Sequence, residues 1–179
     1  MKFGWIAGAA FLMAGLAQAA DLKVESAEYA DGTVKQAQFS NTFGCTGGNI
    51  SPSVSWSGAP KDTKSYVVSI YDKDAPSGSG FWHWVVMDIP ADVTSLKAGA
   101  GSDAAALPKG ARVAMNDASQ NSFLGACPPP GQTHEYRITV KALSVDKLPI
   151  PDNSTGALVG FVSNMNKLAE GSIAAKGGQ

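Results

Sequence analysis

Two histidines and a close pair of aspartates are the residues of this chain best suited to chemistry. The stretch Ser65–Pro90, SYVVSIYDKDAPSGSGFWHWVVMDIP, holds Asp72, Asp74 and His83, and the second histidine, His134, opens the segment HEYRITVKA. Imidazole and carboxylate at close range form charge-assisted hydrogen bonds, orient small polar ligands, or ligate a metal. A histidine beside a carboxylate tends to stay protonated, which suits an anion. The acids would orient the histidines or receive the ammonium of a zwitterionic head group.

The elements that must position these groups follow from strand parity, because side chains alternate between the faces of a strand. Tyr66, Val68 and Ile70 share a face, and their row runs on to Asp72 and Asp74. Val85, Met87 and Ile89 share a face whose row extends back to His83. His134, Tyr136, Ile138, Val140 and Ala142 alternate with Glu135, Arg137, Thr139 and Lys141, the pattern of a strand with one wet face. Antiparallel pairing of these strands would bring the acids and both imidazoles to one rim, above a buried apolar floor where a small polar pocket could form. A lone histidine in such a row is usually a satisfied structural residue. Two, each beginning an inward row beside acids, favour a site.

Other chemistries find less support. The chain has no G-x-S-x-G elbow, no P-loop and no G-x-G-x-x-G after a strand. No serine stands out as a nucleophile. Two His and two Asp could ligate a metal, but Asp72 and Asp74, two apart on a strand rim, suit hydrogen bonding as well. The expectation is therefore a binding protein, not an enzyme, with no cofactor and no metal.

The composition fits one domain. The chain has 179 residues, 44% of them hydrophobic, enough for a sizeable core, and its 20 glycines and 10 prolines suggest the many turns of an all-β fold. A net charge of -1 gives no electrostatic reason to expect nucleic-acid binding. The first segment, MKFGWIAGAAFLMAGLAQAAD, has a basic start at Lys2, an apolar run from Trp5 to Leu16 and small residues at Ala17 and Ala19. It reads as a secretory signal peptide over residues 1–19, cleaved to leave a single domain over 20–179 with no transmembrane segment. The expected location is periplasmic or secreted. In an oxidising compartment Cys45 and Cys127, the only two cysteines, read as one disulfide; in a reducing one they would be two buried thiols.

The rest of the chain is punctuated by loops. NTFGCTGGNISP (41–52) is a Gly-rich rim loop, Val54 and Trp56 share a face of a short strand, and Arg112–Met115 is another short strand. The Pro128–Pro130 run excludes a helix or a central strand and stiffens the approach to His134. Near the end, Ser154 or Thr155 can cap a helix. Leu158, Phe161, Val162, Met165 and Leu168 recur at helical spacing, with Gly171 near the stop, and read as a core-facing stripe.

Four motifs, NISPSVSW (49–56), YDKDAP (71–76), WHWVVMDIP (82–90) and GACPPPGQTHEYRITVKAL (125–143), together resemble the phosphatidylethanolamine-binding protein family, in its bacterial Raf-kinase-inhibitor-like branch. They stand in the family's order and cover most of the chain after the leader. The resemblance implies a mostly β, antiparallel Greek-key sandwich with a C-terminal helix. It also implies a small pocket for phosphate-bearing molecules or phospholipid head groups such as phosphorylethanolamine. Carried over residue by residue, that pocket falls on Asp72, Asp74, Pro76, His83, Gly125, Cys127, Pro128, His134 and Tyr136, with a cis Ala75–Pro76 bond. It places the loops of Cys45 and Cys127 beside the pocket, with the 91–109 and 116–123 stretches as its borders. Relatives that inhibit kinases or serine proteases imply a second function, regulation through a protein partner; a metal-dependent hydrolase ranks third. Where animal members have glycine at the place of Cys127, and many relatives arginine at the place of Glu135, this chain departs.

The mature protein is expected to start at Ala20, because Ala17 and Ala19 fit the small-residue cleavage positions. Intact mass of exported protein tests this; material retaining Met1 would contradict it.

Overall fold

The computed structural model describes residues 22–179, so the expected leader and its cleavage point lie outside the described residues. Five strands form the larger sheet: β3 (Ser65–Asp72), β4 (Phe81–Pro90), β6 (Arg112–Val113), β7 (Thr133–Leu143) and β8 (Lys167–Gly178). Their order is β6-β4-β3-β7-β8, all antiparallel. β7 returns by a long connection to lie beside β3, on the side away from β4 and β6, which is a Greek key. A smaller antiparallel sheet, β1-β2-β5, is built from Lys23–Glu25, Val54–Ser57 and Ser95–Leu96. Trp56, Val54 and Leu96 from the small sheet meet Tyr66, Val68, Ile70, Trp84 and Ile138 from the large one in the main core. A second core, including Val67, Val85, Met87 and Leu143, lies on the other face under the helix α1, Gly156–Met165.

β7 alternates as its sequence requires: His134, Tyr136, Ile138, Val140 and Ala142 are buried, and the residues between them are not. β3 and β4 are covered on both faces, so nearly every residue in them is buried and alternation does not show as polarity.

β4 departs from simple parity. Its register against β3 shifts twice, between Val86 and Ile89 and between Trp84 and Trp82, each time with one extra residue on β4. These are β-bulges. Val85 and Met87 therefore face the helix, whereas Ile89 joins the inter-sheet core. The row expected to run from His83 through Val85, Met87 and Ile89 does not exist as one face. Asp88 sits in the upper bulge with φ 57°, outside the usual range for a residue with a Cβ. Its carboxylate bonds the Arg112 guanidinium and accepts from the Leu148 N–H (2.8 Å), while Arg112 also donates to the carbonyls of Leu148 and Ile150. This buried ion pair fixes the chain that leads into α1.

The C-terminal region corrects the expectation of a core-facing stripe. α1 starts at the expected cap, with the Thr155 hydroxyl accepting from the Leu158 N–H, but it ends at Met165. Leu168 and Gly171 belong to β8, which pairs along the whole of β7. Val159, Gly156 and Ser163 are the buried residues of α1, and Leu158, Phe161 and Met165 are exposed. The cause is Trp82. Gly156 and Gly160 lie against its ring, and a Cβ on Gly156 would stand 2.6 Å from Trp82 Cγ, so the helix turns its small-residue face inward.

Cys45 and Cys127 are joined, with Cα atoms 5.9 Å apart and a sequence separation of 82. A closed loop of this length contributes roughly 4.5 kcal/mol in the chain-entropy account. The double variant Cys45→Ala/Cys127→Ala should lose stability up to about that amount in urea unfolding. An unchanged midpoint and slope would show that the loops are held without the bond.

Candidate functional site

The site forms where β3 ends, β7 begins and the lower bulge of β4 passes between them. Asp72, the last residue of β3, is 3% exposed. Its Oδ1 accepts from the N–H groups of Asp74 (2.8 Å) and Ala75 (3.0 Å), and its Oδ2 lies 2.7 Å from His134 Nδ1. A carboxylate that caps a turn in this way also sets the direction of the chain that follows. The Ala75–Pro76 peptide is trans, as are all peptides among the described residues, contrary to the expected cis bond. The two N–H bonds to Asp72 close the turn with no need of it. His134 Nε2 faces Gln132 Oε1 at 3.0 Å, so both ring nitrogens of His134 are engaged by protein groups.

His83 reaches the site through the bulge. Phe81 pairs with Asp72, and one extra residue follows before Trp84 pairs with Ile70, so His83 and Trp84 both turn toward the inter-sheet side. Its Nδ1 lies 2.8 Å from the Leu124 carbonyl, and the Leu124 N–H donates back to the His83 carbonyl (3.0 Å). A carbonyl only accepts, so Nδ1 carries the hydrogen, and neutral His83 keeps its lone pair on Nε2. Burial pushes the His83 pKa below the ordinary imidazole value, against the smaller raising effects of the Leu124 carbonyl and Asp72. An expected protonated imidazole is thus a neutral one at pH 7.

Tyr136 lies between the two histidines, its ring centroid 5.3 Å from His83 and 6.4 Å from His134. It is 1% exposed, and its hydroxyl has no hydrogen-bond partner among the described residues. Burial and then the Asp72 charge raise its pKa, so it is a neutral donor.

These groups floor a cavity of about 370 Å³ with largely apolar walls, among them Phe43, Pro76, Phe81, Leu124 and Pro129. Of the residues expected in the pocket, Asp72, Pro76, His83, Gly125, Cys127, His134 and Tyr136 line it. Asp74 and Pro128 do not. The Asp74 carboxylate turns outward to Lys73 Nζ (2.8 Å) and the Glu135 N–H (2.8 Å), pinning the turn to β7. Pro128 is buried behind the wall, its carbonyl accepting from the Gln179 side chain (2.9 Å), and Pro129 takes its place. Gly125 donates its N–H to Asn49 Oδ1 (2.7 Å), so that donor is already used. No lining residue comes from the 91–109 or 116–123 stretches. Instead, the Gly101 N–H donates to Ser51 Oγ and the Phe123 N–H to the Gly101 carbonyl, away from the cavity. Sequence reasoning missed Phe43, Ala75, Ser77, Phe81 and Leu124, while Pro129 belongs to the 127–130 loop expected as one wall. Phe81 alone was within reach of parity, since its β3 partner is Asp72.

Residues 29–177 match the family model described as phosphatidylethanolamine-binding protein. The protein YbcL of Escherichia coli K12 is 49% identical over 160 residues, 88% of this chain and 87% of its own length. YbhB of the same organism is 44% identical over 135 residues, 75% of this chain and 85% of its own. The crystal structure of E. coli YbcL, described as a member of the mammalian PEBP family, superposes with a TM-score of 0.85, covering 89% of this chain and 99% of that one. A protein of Mycobacterium tuberculosis H37Rv named as a lipoprotein, LppC, is 34% identical over 75% of this chain and 61% of its own.

The depressed His83 pKa has a consequence for stability. Below the unfolded imidazole pKa of about 6.5, the unfolded chain takes up a proton that the buried ring resists. This contribution is therefore fully present above pH 6.5 and is lost as pH falls through that value toward the lower folded pKa. Thermal unfolding from pH 5 to 8 should show a fall on the acid side that is smaller in His83→Asn. Identical profiles in both proteins would contradict the assignment.

Proposed function

Because the chain belongs to the phosphatidylethanolamine-binding protein family, we propose that it is an exported, non-enzymatic ligand-binding protein. Its pocket takes a small phosphate-bearing molecule or phospholipid head group of the phosphorylethanolamine kind. The observation that carries this reading is the Tyr136 hydroxyl, buried, unpartnered and at the floor of the cavity. A buried hydroxyl without an acceptor costs about 1–3 kcal/mol, which a phosphoryl oxygen relieves. His83 Nε2 adds an acceptor on the same floor, suited to a P–OH or an ammonium hydrogen. A ligand that brings both acceptors and donors therefore fits better than a fully ionised phosphate.

Binding without turnover is supported by the occupancy of the lining nucleophiles. The Ser77 hydroxyl donates to the Gly80 carbonyl, and Cys127 is held in the disulfide. Neither is set against a general base. Export is supported by the leader-like first segment and by the disulfide, which persists in oxidising compartments. Among the described residues, no helix is long and apolar enough to cross a membrane.

Titration calorimetry with phosphorylethanolamine tests the reading. Tyr136→Phe removes one hydrogen bond to a charged ligand, worth about 1.5–3 kcal/mol, so affinity should fall roughly 10- to 150-fold. His134→Ala should also weaken binding, by releasing the Asp72 carboxylate that orients the floor. Undetectable binding by the unaltered protein, or unchanged affinity in both folded variants, would remove the proposal.

A further inference from the structure

The opposite face of the larger sheet carries a second concave surface that the ligand pocket does not use. It lies beside α1, about 330 Å³ in volume, and its lining includes Trp82, Arg137, Lys141, Asn164, Lys167 and Glu170. Arg137, Thr139 and Lys141 form the wet row of β7, whereas His134 and Tyr136 belong to the buried row. The groove and the ligand pocket thus lie on opposite faces of one strand.

Lys141 is half-buried in this groove. Its Nζ donates to Asn164 Oδ1 (2.7 Å) and stands 3.4 Å from Ser163 Oγ, both uncharged. Glu170 is its register partner on β8, yet that carboxylate is bonded to Lys167 Nζ at 2.9 Å. Among the described residues no carboxylate lies within ion-pair distance of Lys141. Burial lowers the lysine's pKa, with Lys167 adding to the shift and Glu170 opposing it. Arg137 bonds Glu135 through Nη2 and keeps further N–H groups for a second acceptor.

Next to this groove, α1 presents an apolar surface. The helix contains no charged residue, and Leu158, Phe161 and Met165, spaced three and four apart, are 39%, 66% and 72% exposed. Phe161 stands three residues before Asn164, which lines the groove, so the two share a side of the helix. An unpaired recessed cation and an uncovered apolar stripe therefore adjoin on one surface.

We propose that this surface docks an acidic segment of a partner protein, with a carboxylate entering the groove between Arg137 and Lys141 and a neighbouring apolar side chain packing on Phe161. Charge complementarity selects this occupant. A second copy using the same face would bring the two sets of cations toward each other, as a two-fold contact repeats the same surface on both sides. An anionic lipid surface is flat and cannot reach a recessed ammonium, and the chain's net charge of -1 gives it no general attraction to one.

The test selects peptides from a random dodecapeptide library against the full mature chain, then measures their affinity by fluorescence polarisation. Selected peptides should carry Asp or Glu beside Leu, Phe or Met. Lys141→Glu, Lys141→Met and Phe161→Ser should each weaken them about tenfold or more, while Tyr136→Phe changes affinity by less than about twofold. Lys141→Met keeps the buried stem, and thermal unfolding checks that each variant is folded. Peptides without acids, affinities unchanged in the folded Lys141 and Phe161 variants, or a loss confined to Tyr136→Phe would overturn the proposal. So would a dimer in light scattering that disappears in Phe161→Ser. Co-sedimentation with phosphatidylcholine–phosphatidylglycerol vesicles that disappears in the same variant would overturn it in favour of a membrane.

Discussion

The Asp72 carboxylate is the constraint on which the rest of the site depends. It is buried at the end of β3 and takes three hydrogen bonds, two from the turn that follows and one from His134 on the neighbouring strand. A buried carboxylate without such partners would cost several kcal/mol. Its position therefore commits three pieces of chain at once: the end of β3, the Asp74–Pro76 turn and the start of β7. Asp74 repeats the clamp on the outside through the Glu135 N–H. With that corner fixed, Tyr136 stands two residues beyond His134 on the same face of β7, and its side chain lines the cavity.

The second device is the pair of bulges in β4. An extra residue in one strand turns every following side chain to the other face. Here the lower bulge delivers His83 to the pocket without giving up Trp84 to the helix side. The upper one returns Ile89 to the inter-sheet core and leaves Asp88 to hold Arg112. Between them, Val85 and Met87 supply the apolar floor for α1. One strand thus serves the pocket, the main core and the helix interface. This requires both of its faces to be covered, and the burial along β4 shows that they are.

The walls of the pocket are loops, and loops need separate restraint. The 41–52 and 125–130 segments are tied by the Cys45–Cys127 bond, by Ser40 and Ala126, whose N–H and carbonyl meet at 2.9 Å, and by Asn49 against the Gly125 N–H. Gly125 is required by this closeness, since a Cβ there would stand 2.4 Å from the Ser40 nitrogen. Phe43, 75% exposed and at φ 54°, projects from the same restrained loop over the mouth. An exposed aromatic in a disfavoured backbone conformation persists because the neighbouring covalent and hydrogen bonds over-determine it.

How much of this the residues disclosed by themselves differs from element to element. β7 was fully legible, because one face is wet and the other dry, and its alternation alone placed His134 and Tyr136 inward. Asp72 followed from the parity of the row Tyr66, Val68 and Ile70 alone, since β3 is buried on both faces. His83 was placed at the site by a row that does not exist; a bulge leaves no polarity mark in a strand buried on both sides. Asp74 failed for a related reason: beyond the last paired residue, the turn and not the pleat decides where a side chain points. β8 was invisible because LAEGSIAAKGG has neither strong alternation nor β-branched bulk beyond Ile173, and it is a strand because β7 offers an unpaired edge. The stripe on α1 was visible, but its direction was not. Helical spacing defines a face without saying what lies opposite, and that was settled by the two glycines against Trp82. The sequence thus determined which residues could share a face, because that depends on local geometry alone. The tertiary structure decided which face met what, because register, bulges and close approach depend on neighbours distant in the chain.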